Sequence, residues 1–292
     1  MRRCRQDLGD VTVDRFIDWM VEKIKPGLAS NSWRQYRSAV LWILERSGKP
    51  AHLAAALKLK QSGAGVANAS GARTSSNKLK RLPADDLGRL VAFLSTASSK
   101  YAPALVSYLH ASTGTGLRPC EWATAKFMMH PDGSATLTVS NAKRTNGRGH
   151  GDVRTLTWAD ANAVEVEAIV ATIDLLKPLT RVQAASLYKA MQRLLRTACS
   201  ALWPKRRSLT LYDGRHEFAA GMKVLTSRLE TAAVLGHASD ETATVHYGRR
   251  RDARGVRRAS LPAAAAAEIS RVRQVFEARF DRLRDRRSAL RM

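Results

Sequence analysis

At 292 residues, 45% of them hydrophobic, the chain is long enough for two packed domains and too apolar to be disordered throughout. Its 49 Lys and Arg against 25 Asp and Glu give a formal net charge of +24, so a phosphate-rich polyanion is the first partner to consider, ahead of a ribosomal-type or membrane-surface role. No apolar run approaches the roughly 18 residues of a membrane span. The opening MRRCRQDLGD lacks a signal peptide's apolar stretch, and Cys4, Cys120 and Cys199 are too widely spaced for a zinc site or a disulfide framework. A cytoplasmic, nucleoid-associated protein with no metal and no cofactor is expected.

In chain order, VDRFIDWMVEKIK carries Val13, Phe16, Ile17, Met20, Val21 and Ile24 at helical steps. SNSWRQYRSAVLWILERSG repeats the pattern with Trp33, Tyr36, Val40, Ile43 and Leu44, behind Ser30, Asn31 and Ser32 as candidate caps, and AHLAAALKLK predicts a third helix. Residues 1–61 hold twelve Lys or Arg and six Asp or Glu, a basic but amphipathic bundle. QSGAGVANASGARTSSNKLKRLP has no acid and no apolar period, and reads as a basic flexible linker. From Pro83 the pattern is helical through ADDLGRLVAFLSTAS, YAPALVSYLHAST and RPCEWATAKFMM; ATLTVS and VRTLTW then alternate as short strands around the turn NAKRTNGRGHGD. Helices resume at DANAVEVEAIVATIDLLK and RVQAASLYKAMQRLLRTACSAL and continue to Arg215. The last 44 residues hold fourteen Arg against five acids, with Ile269, Val272, Phe276, Phe280 and Leu283 predicting a basic amphipathic helix. That stripe would pack on its own domain or on a neighbouring protomer. The fold class expected is mainly α with a small β-hairpin or sheet, in two domains: a helical domain over 1–61, a linker over 62–82, a larger domain over 83–260 and a C-terminal helix over 261–292.

Four polar landmarks lie in order down the larger domain: Arg118 in GTGLRPCEW, Arg215 in LYDGRHEFAA, His237 in VLGH and Tyr247 in TATVHYGRR. Together they supply what phosphodiester cleavage needs: two fixed cations for the phosphate, a polar proton handler and a hydroxyl nucleophile. Arginine suits such a clamp because its planar fork binds two oxygens and keeps its charge. Singly, each residue has a plainer reading, as solvated surface for the arginines and a core position for the tyrosine; their order and contexts set them apart. Gly114 and Gly116 do not make a nucleotide loop, because no strand precedes them and a third glycine is missing. Asp213, Glu217, Asp240 and Glu241 have no spacing that would converge on one metal ion.

These motifs resemble the tyrosine recombinases, the phage integrase family, over roughly residues 10–250, with the specific match confined to the four short motifs. The resemblance implies a helical core-binding domain ahead of a catalytic domain. It implies Arg118 and Arg215 as the phosphate clamp, Lys143 as the hairpin lysine that protonates the 5′ oxygen, His237 as a phosphate or proton-transfer ligand, and Tyr247 as the nucleophile. Two departures stand out. Tyr212 occupies the place, three residues before Arg215, where many members have His, and the step from His237 to Tyr247 is about one residue longer than the common form. The activity implied is site-specific recombination through a 3′-phosphotyrosine link, without ATP, on double-stranded DNA with paired half-sites, by a dimer on each site and a tetramer in synapsis. The alternatives are a type IB topoisomerase-like relaxase and a catalytically silent DNA-binding protein.

Overall fold

A computed structural model describes residues 11–63, 65, 82–142, 150–206, 208–242 and 261–276. The chain divides into two compact units, Met1–Asn77 and Lys78–Met292.

In the first unit, α1 (Val13–Trp19) starts where the Thr12 hydroxyl accepts from the Arg15 N–H, and runs on through a π turn, Met20–Ile24, and a 3-10 turn, Lys25–Gly27. It is followed by α2 (Ser30–Ser47), closed by Gly48 at φ 67°, and α3 (Pro50–Gln61), whose proline stands in the first turn, where no N–H is needed. The core is Ile17, Trp19, Met20, Trp33, Leu44, Ala55, Ala56 and Leu59. Two expectations change here. Ser30, Asn31 and Ser32 lie inside the first turn of α2 and Ala29 takes the cap position; the Ser30 hydroxyl instead donates to the Gly65 carbonyl. On the predicted stripe Trp33 and Leu44 are buried, but Tyr36 and Ile43 are 56% and 60% exposed. Only a narrow arc of α2 meets its neighbours, and Leu41 supplies contact that the wider stripe would have assigned to Ile43.

The second unit is mainly helical around a small sheet, the expected fold class. It opens with α4 (Ala84–Ser95) and α5 (Ala102–Thr115), and a 3-10 turn spans Pro119–Thr124. Strands β1 (Lys126–Met129), β2 (Ala135–Ser140) and β3 (Val153–Trp158) form an antiparallel meander, with Leu137 opposite both Phe127 and Leu156. The stretch KFMM, expected to be helical, is a strand because pairing with β2 overrides its local helix preference. Next come α6 (Ala163–Leu176), capped by Asn162, α7 (Arg181–Leu202), with Thr180 and Gln183 in a capping box, α8 (Asp213–Leu225) and α9 (Arg228–Val234). Strand β4 (Ala263–Ala264) adds to β3 at the sheet edge, followed by the short α10 (Ala266–Ser270). The helices bury Tyr108, Trp122, Leu195 and Phe218 against Leu137, Leu156 and Trp158 of the sheet.

The predicted C-terminal helix is interrupted within the described residues. It stops at Ser270, Arg273 bridges Ser239, and the Asp240 carboxylate accepts from the N–H groups of Val275 and Phe276. Val272 packs on Ala232 and Ala233 of its own chain, and Phe280 and Leu283 lie outside the described residues. Among the described residues no helix is long and apolar enough to cross a membrane.

Helix α5 ends at Gly116, with φ +64°, and a Cβ there would fall 2.3 Å from the Phe218 ring. Strain in the left-handed region and a clash with a fully buried ring add up, so Gly116→Ala is expected to cost about 2–4 kcal/mol in urea unfolding. A change below about 0.5 kcal/mol would show that the ring yields.

Candidate active site

Gly116 turns the chain out of α5, and Arg118, in extended backbone, leads into the 3-10 turn. Glu121, one turn on, folds back: Oε2 accepts from the Arg118 backbone N–H at 2.8 Å and Oε1 from Arg118 Nη1 at 2.6 Å. The Tyr188 hydroxyl of α7 braces this turn by donating to the Pro119 carbonyl at 2.6 Å. Glu121 also accepts from the Ala142 N–H at 3.3 Å, which fixes the residue just before Lys143. Asn141 pins the hairpin base by donating from Nδ2 to the carbonyls of His150 and Gly151.

Arg215 stands in the first turn of α8, behind Tyr212 at the cap position, whose ring lies edge-on to His216. Its Nη1 donates to the Gly116 carbonyl, two residues before Arg118, and Nη2 to the Leu235 carbonyl at 2.8 Å. The same Nη2 lies 3.1 Å from His237 Nε2. A guanidinium can only donate, so Nε2 is the acceptor and the neutral ring carries its proton on Nδ1. His237 leaves α9 through Gly236, at φ +64°, where a Cβ would sit 2.6 Å from Asn141 Oδ1. Arg118, Arg215 and His237, spread over 120 residues of sequence, thus share one network, and Tyr212 adjoins it at the start of α8. Lys143 and Tyr247 lie outside the described residues.

The sequence reading missed the centre of this network. Arg154 of β3 is fully buried and reaches Glu121 through Nη2, at 2.9 Å, and Nη1, at 3.3 Å. Its signal was the two-residue alternation of VRTLTW: with Leu156 and Trp158 facing inward, Arg154 must face inward too. Burial pushes the Glu121 carboxyl up, but Arg154 first, then Arg118 and Arg215, pull it down to about 2. Burial lowers the Arg154 pKa, against Glu121, which raises it. Arg118, Arg154 and Arg215 are 8%, 0% and 1% exposed, and with Glu121 these groups sum to two positive charges, three minus one. Holding that charge away from water is costly unless an anion joins it. The arrangement is suited to gripping a phosphate.

A depressed folded-state pKa stabilises the protein above the unfolded value, near 4.5, and the effect disappears as pH falls through about 2. The stability advantage of wild type over Glu121→Gln should therefore be flat above pH 5 and shrink by about 3 kcal/mol as pH falls through that window. Acid titrations of urea unfolding measure it, and an advantage independent of pH would contradict the assignment.

No protein-family model matches the sequence, and no curated protein matches it. Solved structures do. The chain is similar to the XerH site-specific recombinase bound to difH substrate in a pre-cleavage complex, at 14% identity over 87% of this chain and 75% of that one, with a TM-score of 0.51. It is similar to XerH on palindromic difH in a post-cleavage complex, at 16% identity over 85% and 71%, with a TM-score of 0.50. It is also similar to a variant of the protelomerase TelA complexed with DNA hairpin product, at 15% identity over 84% and 85%, with a TM-score of 0.50. The chain therefore has the fold of the tyrosine recombinases.

Proposed function

We propose that the protein is a site-specific DNA recombinase that cleaves and rejoins duplex DNA through a covalent 3′-phosphotyrosine link. The observation that carries the reading is the convergence of Arg118, Arg215 and His237 on one buried, positively charged network at the edge of the hairpin that leads to Lys143. In this mechanism Arg118 and Arg215 grip the non-bridging oxygens of the scissile phosphate. The Tyr247 oxygen attacks phosphorus, the bond to the 5′ oxygen breaks, and Lys143 hands a proton to the departing alkoxide. The tyrosine proton leaves to solvent, and His237, with its proton on Nδ1, has a donor to offer the phosphate. Tyr212 would donate one hydrogen bond to the phosphate, since a phenol is a poor proton shuttle at neutral pH. The phosphodiester energy is kept in the protein link, so a 5′ hydroxyl from a second duplex reverses the step without ATP.

Charge outside the site supports a DNA partner. Helix α7 presents Lys189, Arg193 and Arg196, all exposed, at steps of four and three along one face, beside a groove bordered by Gln192 and Leu211. Such a face neutralises successive phosphates and makes binding salt-dependent. A dimer on each site, with a tetramer in synapsis, completes the proposal.

A nicked suicide substrate, run on a denaturing gel, tests the chemistry. Wild type should leave a protein–DNA adduct and Tyr247→Phe should leave none while binding DNA nearly as tightly; an adduct from the variant would remove Tyr247 from the role. Arg118→Ala and Arg215→Ala should each slow cleavage about 100- to 1,000-fold at saturating DNA, because one lost transition-state donor costs about 3–4 kcal/mol. Near-normal rates would refute the clamp. Products from two-site circular DNA separate recombination from simple relaxation and from hairpin formation, and DNA binding without any adduct would identify a silent binder.

A further inference from the structure

Arg154 occupies an inward position of β3 where the strand pattern calls for an apolar side chain, and it has no water contact. A buried guanidinium is expensive unless its donors are used. Here they are: Nε donates to the Val234 carbonyl at 2.9 Å, Nη1 to Asn141 Oδ1 and to Glu121 Oε1, and Nη2 to Glu121 Oε2. Its partners lie on three different elements, namely the 3-10 turn behind Arg118, the strand end two residues before Lys143, and the end of α9 just before Gly236 and His237. The Gly236 turn packs so closely that a Cβ there would come 2.9 Å from Arg154 Nη1.

Charge gives this placement a purpose beyond filling space. Arg118 and Glu121 alone are a neutral pair at 2.6 Å, and an arginine so paired has little charge to offer a phosphate. With Arg154 on the other side of the carboxylate, the three groups sum to one positive charge.

We propose that Arg154 is a positioning residue that neutralises Glu121, leaving the charge of Arg118 for the scissile phosphate, while its fork holds the hairpin base and the His237 turn in register with Arg118. This rests on the strand-cleavage reading for its kinetic consequence, but not for its electrostatic one.

The kinetic test uses full-length protein and single-turnover cleavage at saturating DNA. Arg154→Met should slow cleavage about 100-fold with DNA affinity within about threefold, as expected when one fixed charge is lost from the transition state. Arg154→Lys keeps the charge but loses the fork and should fall between Met and wild type. The decisive variant is Arg154→Met with Glu121→Gln. If neutralisation is the role, removing the carboxylate recovers about tenfold or more of the Met loss. If Arg154 is only a structural strut, the double variant is as slow as Arg154→Met or slower, and the proposal is overturned, as it is if Lys and Met are equally slow.

The second measurement does not depend on catalysis. Carbon-detected NMR titration of the Glu121 carboxyl should find its pKa raised by about one unit or more in Arg154→Met relative to wild type. An unchanged value overturns the proposal even if cleavage is impaired. A wild type that yields no adduct defeats the strand-cleavage reading instead, and the titration then decides the electrostatic role alone. Should Arg154→Met not fold, the comparison passes to Arg154→Gln with and without Glu121→Gln, with rescue by the second substitution still required and the same titration run on Arg154→Gln.

Discussion

A carboxylate taken wholly out of water has to be neutralised where it stands, and in this protein that demand falls on Glu121. It is met by guanidinium groups from two elements far apart in sequence, Arg118 three residues before it and Arg154 from the sheet, with Arg215 adding its field. Each satisfies part of the carboxylate while Glu121 fixes a backbone N–H on either side, at Arg118 and at Ala142. Geometry around the site follows from this hub. The 3-10 turn, the hairpin base and the strand alternation cannot shift independently without leaving a buried charge unpaired, a far larger penalty than the loss of an ordinary surface ion pair.

Around the hub, close backbone approach is bought with glycine. Gly116 lets α5 turn against the Phe218 ring, and its carbonyl then receives Arg215; Gly236 lets the α9 exit lie against Asn141 and Arg154, which places His237 beside Arg215. Both sit in the left-handed region, where a side chain is disfavoured even before contacts are counted. The two turns bring the C-terminal ends of two helices, α5 and α9, to the same guanidinium. The C-terminal segment reinforces them from outside: β4 pairs with β3, Glu268 accepts from the Thr155 N–H, and Asp240 gathers the N–H groups of Val275 and Phe276.

Likeness to the solved XerH recombinase and TelA protelomerase structures is a likeness of backbone at 14–16% identity, so it speaks to fold, while chemistry resides in the side chains. The side chains form a water-poor site with excess positive charge, and that is the electrostatic complement of a phosphate gaining charge in a transition state. Under the proposed function the exposed basic face of α7 acts differently, through screened contacts that position DNA without taking part in bond making.

Local pattern was enough for much of this protein. The helical periods of α1, α3, α5, α6 and α7, the hairpin strands β2 and β3, and the motif contexts of Arg118, Arg215 and His237 could all be read from the sequence, because each depends on neighbours within a few residues. What failed depended on distant partners. KFMM became a strand only because β2 was there to pair with it, Tyr36 and Ile43 stayed exposed because α2 offers a narrow arc to its neighbours, and the C-terminal stripe broke where Arg273 met Ser239. Arg154 shows the division most sharply. Alternation in β3 dictates that it faces inward, but an inward arginine is a liability until folding brings Glu121, Asn141 and the Val234 carbonyl around it, and only the tertiary structure supplies those partners.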